Sequence, residues 1–287
     1  MTLEKTMIIG GSGLLGSRLL DFVTGEDVIA TYRSNPMHGD NMCQLDIASS
    51  SQVEKVFKEV VPTLVIHAAA YTDVDGCEKD RVKAHAVNAQ GTENIARAAR
   101  KHRAKLVYVS TDYVFDGLTG MYGESDKTNP ISYYGLTKLQ GEQFVRDICD
   151  DFIIARTSVL YGRGRRNFAT WIIEGIRSGK TLRIANQYVS PTLNTDLVHQ
   201  ILALVEADAT GIYHTAGADR ISRVEFALEI AGRFGLDPNM IVACPPESMD
   251  WLAQRPRDSS LDVSKVSAIR RPLSVHEAVR ELKEEIK

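Results

Sequence analysis

Several things are scarce in this chain, and each scarcity removes a class of explanation. No run of 18 consecutive apolar residues occurs, so no segment has the make-up of a membrane-crossing helix. The strand-like residues 7–9 come too early to leave room for a signal peptide, and the expected location is the cytoplasm. Only 4 cysteines are present. Cys43, Cys77, Cys149 and Cys244 lie far apart with no CxxC pair, and they read as reduced structural thiols. The 7 histidines are scattered, none spaced to set two imidazoles on one helical face, so no metal site is expected. Neither sign of charge prevails: 34 Lys plus Arg stand against 37 Asp plus Glu, a net charge of -3, which draws the chain neither to nucleic acid nor to an anionic membrane. With 44% hydrophobic and 25% charged residues and no excess of Pro or Gly, the composition is globular. A length of 287 residues suits one large α/β unit with a smaller partner.

What is present is alternation. Residues 6–9, 27–31, 64–67, 105–109 and 152–155 read as strands separated by helical stretches. Leu64-Val65-Ile66 and Leu106-Val107-Tyr108-Val109 are apolar without alternating, as strands covered on both faces must be. The expected class is α/β, a Rossmann-like doubly wound parallel sheet. After Gly162 the regularity loosens into helical stretches over 167–178, 195–207, 222–234 and 274–286. The expected division is a dinucleotide-binding domain over 1–160, rejoined by part of 194–216, and a smaller C-terminal substrate-binding lobe, mainly 161–287.

Residues 10–16 read GGSGLLG, between a strand and a helix whose Leu15, Leu19 and Phe22 form one apolar face. Gly10 permits a tight turn, Gly13 lets a pyrophosphate approach the backbone, and Gly16 lets helix and strand pack closely. The helix N-terminus then offers unpaired N–H groups to phosphate. Gly10, Ser12, Gly13, Leu14, Leu15 and Gly16 are the candidate cofactor contacts here. A plain strand-to-helix turn is the bland alternative. The second strand ends in Thr31-Tyr32-Arg33-Ser34, with no Asp or Glu for a ribose 2'-hydroxyl. Arg33 instead suits a 2'-phosphate, which makes NADP(H) the expected cofactor, with NAD(H) still usable, and Tyr32, Arg33 and Ser34 its adenosine-side contacts.

Tyr134 and Lys138, in YYGLTK, stand at i and i+4 on a predicted helix and share one face. A lysine ammonium, joined by oxidised nicotinamide, would lower the tyrosine pKa toward working pH, allowing proton exchange with a substrate oxygen. Alone, the pattern fits a solvated helix face better than a catalytic pair. Upstream, a strand runs into Val109-Ser110-Thr111-Asp112-Tyr113, putting hydroxyls at a strand's carboxyl end, where open α/β sheets bind ligands. Thr111 is the candidate partner for the same oxygen; capping of the next turn is the other use of Ser110 and Thr111.

These features resemble the extended short-chain dehydrogenase/reductases. The strings HAAAYTDVDGCE (67–78), VNAQGTENIA (87–96), STDYVFDG (110–117), YYGLTKLQGE (133–142), ARTSVLYG (155–162), NQYVSPT (186–192) and RPRDSSLD (255–262) resemble the dTDP-4-dehydrorhamnose reductase family, over nearly the whole chain. The resemblance implies a catalytic set of Thr111, Tyr134 and Lys138. It also implies adenine contacts from Asp46 and Ile47, and cofactor contacts from Ala68, Ala69 and Ala70 as well as from Tyr134 and Lys138. Thr111, Asp112, Ser158, Val159 and Arg255 are implied at the substrate. The implied activity is reduction of a nucleotide-linked 4-keto sugar, dTDP-4-dehydro-L-rhamnose to dTDP-L-rhamnose, and a homodimer is compatible with it. One departure is Val159, where the family often carries a tryptophan that contacts the nucleotide sugar. Arg163, Arg165, Arg166, Arg255 and Arg257 lie in the half expected to meet a diphosphate, though a solvated arginine-rich surface explains them as well.

Three alternatives use the same residues differently. Dehydratases of the superfamily carry a glutamate where this chain has Tyr113, and a tyrosine of ordinary pKa is a poor proton abstractor near neutrality. Epimerases share the Thr/Tyr/Lys set. The resemblance also extends to the regulatory subunit of methionine adenosyltransferase, a cofactor-binding partner protein and not a working reductase. The acidic Asp73-x-Asp75-Gly76 lacks the remaining ligands of an EF-hand and reads as a loop leading into a helix.

Overall fold

A computed structural model describes residues 5–23, 25, 27–36 and 41–286. The first four residues and Lys287, which fall in the two expected domains, lie outside them.

Strand β1 (Thr6–Ile9) is buried throughout and turns at Gly10 into helix α1 (Leu14–Phe22), which seats Leu15 and Leu19 on the sheet. Strands β2 (Val28–Tyr32) and β3 (Met42–Gln44) follow. Helix α2 (Ser50–Val60) is opened by the Ser49 hydroxyl, which accepts from the Gln52 N–H, and stops at Val61 in left-handed backbone. After β4 (Leu64–His67) come α3 (Val74–Lys79), capped by Asp73, and α4 (Arg81–His85), capped by Asp80. A π-turn over Ala86–Gln90 then leads into α5 (Gly91–His102). Strand β5 (Lys105–Thr111), helix α6 (Tyr133–Ile148), capped by Ser132, and β6 (Phe152–Thr157) complete this half.

The remainder contains β7 (Leu160–Tyr161), α7 (Phe168–Arg177), β8 (Leu182–Ala185), β9 (Tyr188–Val189), β10 (Thr192–Leu193), α8 (Asn194–Glu206) and β11 (Gly211–His214). It continues through β12 (Ile221–Ser222), α9 (Arg223–Phe234), β13 (Ile241–Cys244), α10 (Ser264–Ser267) and α11 (Val275–Glu285). Reciprocal capping boxes at Asn167/Thr170, Ser222/Glu225 and Ser274/Glu277 start α7, α9 and α11.

Seven parallel strands form the main sheet in the order β11-β6-β5-β4-β1-β2-β3, a Rossmann-like, doubly wound arrangement. Chain direction across the sheet reverses beside β1, which pairs with β2 on one side and β4 on the other, and a crevice opens at the carboxyl ends there. One face is covered by Leu15, Leu19, Leu197, Val198 and Ile201 from α1 and α8, the other by Phe57, Ile95, Ala99 and Val145 from α2, α5 and α6. A third core, with Tyr161, Ile172, Ile184, Phe226, Ile230 and Val279, belongs to a smaller C-terminal lobe. Burial of both sheet faces explains why these strands read as unbroken apolar runs. Among the described residues, no helix is long and apolar enough to cross a membrane.

Candidate active site

Two close approaches fix α6 against β5. A side-chain carbon on Gly135 would fall 2.1 Å from the Tyr113 carbonyl oxygen, and one on Gly141 would fall 2.4 Å from the Tyr108 hydroxyl. With hydrogen in both places, α6 drops onto the carboxyl end of β5, and Tyr134 and Lys138 are carried to Thr111. The Lys138 ammonium donates to the Val109 carbonyl at 2.8 Å and sits 4.1 Å from the centre of the Tyr108 ring. The Thr111 hydroxyl lies near enough to the Tyr134 phenol to pull its pKa down. It also accepts from the Tyr113 N–H at 3.2 Å, the turn-capping use expected of it.

Burial dominates the electrostatics here. It lowers the Lys138 pKa to about 7, against the opposing pull of the Glu142 carboxylate. It also raises the Tyr134 phenol above its ordinary value; Asp112 adds to the rise and the Thr111 hydroxyl opposes it. The direction is opposite to that expected from the i,i+4 spacing. The cause is burial of the phenol, which outweighs the Thr111 contact, while the neighbouring lysine is directed at the Val109 carbonyl. A protonated phenol is the form that can give up a proton.

Beneath this set lies an ion pair that the sequence analysis missed. Glu142, one turn beyond Lys138, accepts from Arg156 at 2.9 and 2.7 Å and from the Ser110 hydroxyl at 2.6 Å. Both charged side chains are buried, at 3% and 1% exposure. Register makes this possible, because Ser110 pairs with Arg156 across β5 and β6 and both project at the same helix. Asn88, on the π-turn, was also missed. It accepts from the Tyr71 N–H at 2.8 Å and donates to the Tyr71 carbonyl and to Thr137, tying the loop after β4 to α6. A buried Asn inside an apolar helical stretch was the available signal.

Two buried histidines flank the site. Thr92 donates its hydrogen to the Asn88 carbonyl and lies 3.2 Å from His67 Nε2, so that nitrogen carries the proton and Nδ1 is left without a donor. His214 Nδ1 faces the Asp262 carbonyl, and its Nε2 faces Arg156 at 3.4 Å. Burial, with Lys138 near one ring and Arg156 near the other, lowers both pKa values to about 3. Unfolded histidine protonates near 6.5, so between about pH 6.5 and pH 3 the unfolded chain binds protons that the native chain refuses, and stability falls as pH falls. Denaturant unfolding followed from pH 7 down to 4.5 should therefore decline less steeply in His214→Gln than in the native chain. Parallel declines would contradict this account.

The expected cofactor residues largely converge. Gly10, Ser12, Gly13, Tyr32, Arg33, Ser34, Asp46, Ile47, Ala68, Ala69 and Ala70 line one cleft at the carboxyl ends of β1, β2 and β4. Gly10 has a φ of +90°, and a side chain on Gly16 would meet the Gly10 carbonyl oxygen at 2.1 Å. Leu14, Leu15 and Gly16 do not line the cleft; they start α1, with Leu15 and Gly16 turned inward. That helix has neither a side-chain cap nor an acidic residue in its first turn, the donor set a pyrophosphate fits.

The expected substrate residues divide. Thr111 adjoins Tyr134, while Asp112 is buried and accepts from Thr111, Ser158 and Ser259 at 3.1, 2.8 and 2.5 Å. Ser158 has no exposed surface. Val159 packs on the third core in left-handed backbone, φ 41°. Arg255 makes a forked contact with Asp75, at 2.9 and 3.1 Å, and Arg257 pairs with Glu247.

The family model described as the RmlD substrate binding domain matches residues 4–287. The chain belongs to that family. Among its relatives is a probable low-salt glycan biosynthesis reductase of Haloferax volcanii, 35% identical over 269 residues, with 90% of each chain covered. The dTDP-4-dehydrorhamnose reductase of Mycobacterium tuberculosis H37Rv is 34% identical, with 89% of this chain and 83% of that protein covered. The crystal structure of dTDP-4-dehydrorhamnose reductase from Bacillus anthracis in complex with NADP superposes with a TM-score of 0.89 at 32% identity, covering 98% of this chain and 99% of that one.

Proposed function

We propose that this RmlD-family chain is a cytoplasmic, NADP(H)-preferring reductase of a nucleotide-linked 4-keto sugar, converting dTDP-4-dehydro-L-rhamnose to dTDP-L-rhamnose, with NAD(H) as a usable second cofactor. The observation that carries this reading is the convergence of Thr111, Tyr134 and Lys138 at the carboxyl edge of a sheet whose adjoining cleft suits a dinucleotide. Residues 1–160, together with β11, are assigned to the cofactor, and the lobe beyond them mainly to the sugar nucleotide.

A bound NADP(H) would supply the hydride. The Tyr134 phenol gives its proton to the sugar carbonyl oxygen as that oxygen gains charge, and its raised pKa keeps it loaded with the proton beforehand. The Thr111 hydroxyl, whose single hydrogen points at Asp112 at 3.1 Å, turns it to the same oxygen as a second hydrogen bond when the substrate arrives. Lys138 is held by Val109 through one N–H, which leaves its others to orient the cofactor's ribose. Asp112, fixed by three hydroxyls, holds Thr111 in place before then.

A panel of keto-sugar nucleotides, followed by loss of NADPH absorbance and by product stereochemistry, tests the assignment; oxidation of NADPH by none of them would overturn it. Arg33 is exposed on the cleft wall. Arg33→Ala should weaken NADPH by about tenfold, the worth of one charge-assisted phosphate contact, and NADH hardly at all. Equal losses would remove Arg33 from the 2'-phosphate.

A further inference from the structure

Of the five arginines expected near a diphosphate, Arg255 and Arg257 are committed to carboxylates, whereas Arg165 reaches a different place. It lines the same cleft as Gly10, Ser12, Gly13 and Arg33, although it belongs to the loop between β7 and α7. That loop is pinned on both sides of Arg165. The buried Asn194 side chain donates to the Leu14 carbonyl at 3.3 Å and to the Arg163 carbonyl at 3.0 Å. The Asn167 side chain donates to the carbonyls of Gly162 and Arg165, each at 2.8 Å. A side-chain carbon on Gly164 would lie 3.4 Å from Leu14 Cδ1, so the loop rests on the first turn of α1.

We propose that Arg165 is a pyrophosphate clamp: the C-terminal lobe supplies a guanidinium that closes on the dinucleotide's diphosphate beside the N-terminus of α1. The inference rests on the cofactor reading above. The uncapped first turn of α1 offers backbone N–H donors and no charged side chain, and a diphosphate carries more charge than those donors neutralise. Arg165 supplies the missing cation in a planar fork suited to phosphate oxygens. Because Asn194 and Asn167 already order its backbone, only the side chain has to be immobilised on binding. Arg33 and Arg165 then divide the work: one reads the group that distinguishes the two cofactors, and the other grips what they share.

Dissociation constants of NADPH, NADH and adenosine 2'-monophosphate, measured by calorimetry on the full chain, test this. Arg165→Ala should weaken both dinucleotides by the same factor, about tenfold, and leave the monophosphate unchanged, since it lacks a pyrophosphate. Arg165→Lys should recover part of the loss. Unchanged dinucleotide affinity in Arg165→Ala overturns the clamp, and so does a loss confined to NADPH, which would move Arg165 to the 2'-phosphate. A native chain that binds neither dinucleotide defeats the cofactor reading itself, a result distinct from a failure of Arg165 alone.

Discussion

Tyr134→Phe is expected to reduce turnover by about 10²- to 10⁴-fold, the usual loss for a general acid, while leaving cofactor affinity close to native. The substitution removes one oxygen and keeps the ring that meets Tyr113 edge-on at 5.9 Å, so the packing of α6 on β5 survives. What is lost is the proton that the carbonyl oxygen needs as it becomes an alkoxide. Thr111 can still hydrogen-bond that oxygen, and polarisation by a hydroxyl without proton transfer accounts for the residual rate. Steady-state kinetics alongside direct cofactor titration read the two quantities separately. Near-native turnover would show that the proton comes from elsewhere; a parallel collapse of cofactor binding would make the phenol a structural group.

The second large effect is on stability. Glu142→Gln should cost about 3–5 kcal/mol, because it leaves the Arg156 guanidinium buried without its counter-charge, beside the Phe115 ring and the neutral His214. The glutamine amide can still accept from Arg156 or Ser110 but cannot offer two anionic oxygens to three donors. Denaturant unfolding measures the loss, and a variant within about 1 kcal/mol of the native chain would refute the argument. Removing both charges with apolar residues of similar volume should recover much of the deficit, since the pair's cost is the desolvation of each member. The same substitution takes away the carboxylate that holds the Lys138 pKa up to about 7, so the ammonium form should retreat to lower pH.

The difference between what was legible in the sequence and what was not follows from how far apart the partners lie. Strands buried on both faces are written locally, and the expected runs at 6–9 and 64–67 coincide with β1 and β4. β5 and β6 extend two residues beyond the expected ends, because Ser110, Thr111, Arg156 and Thr157 are polar and still ladder across the sheet. β3, three residues long and half-exposed, has no periodicity to display. The Tyr134/Lys138 spacing was visible because one helix carries it. The Glu142 network joins Ser110, Glu142 and Arg156 from three elements, and Arg255 meets Asp75 across 180 positions, so neither pairing leaves a local trace. Arg165 was noticed as a cation, but its place on the cleft beside Gly10 and Gly13 was not legible, since its loop folds back over α1 through Asn194, a contact only the tertiary structure discloses.

The π-turn at Ala86–Gln90 carries one further consequence. Such a turn holds an extra residue within an otherwise α-helical path. Deleting one residue there would restore regular winding with the flanking helices left nearly in register, because the wide turn already absorbs the extra residue, but it would move the side chains of the turn itself round the axis. Asn88 would then swing away from Tyr71 and Thr137, unfastening the loop after β4 from the helix that carries Tyr134 and Lys138. Length in this segment is therefore constrained as tightly as residue identity: an in-frame loss of one codon should be as damaging there as a substitution in the reacting groups themselves.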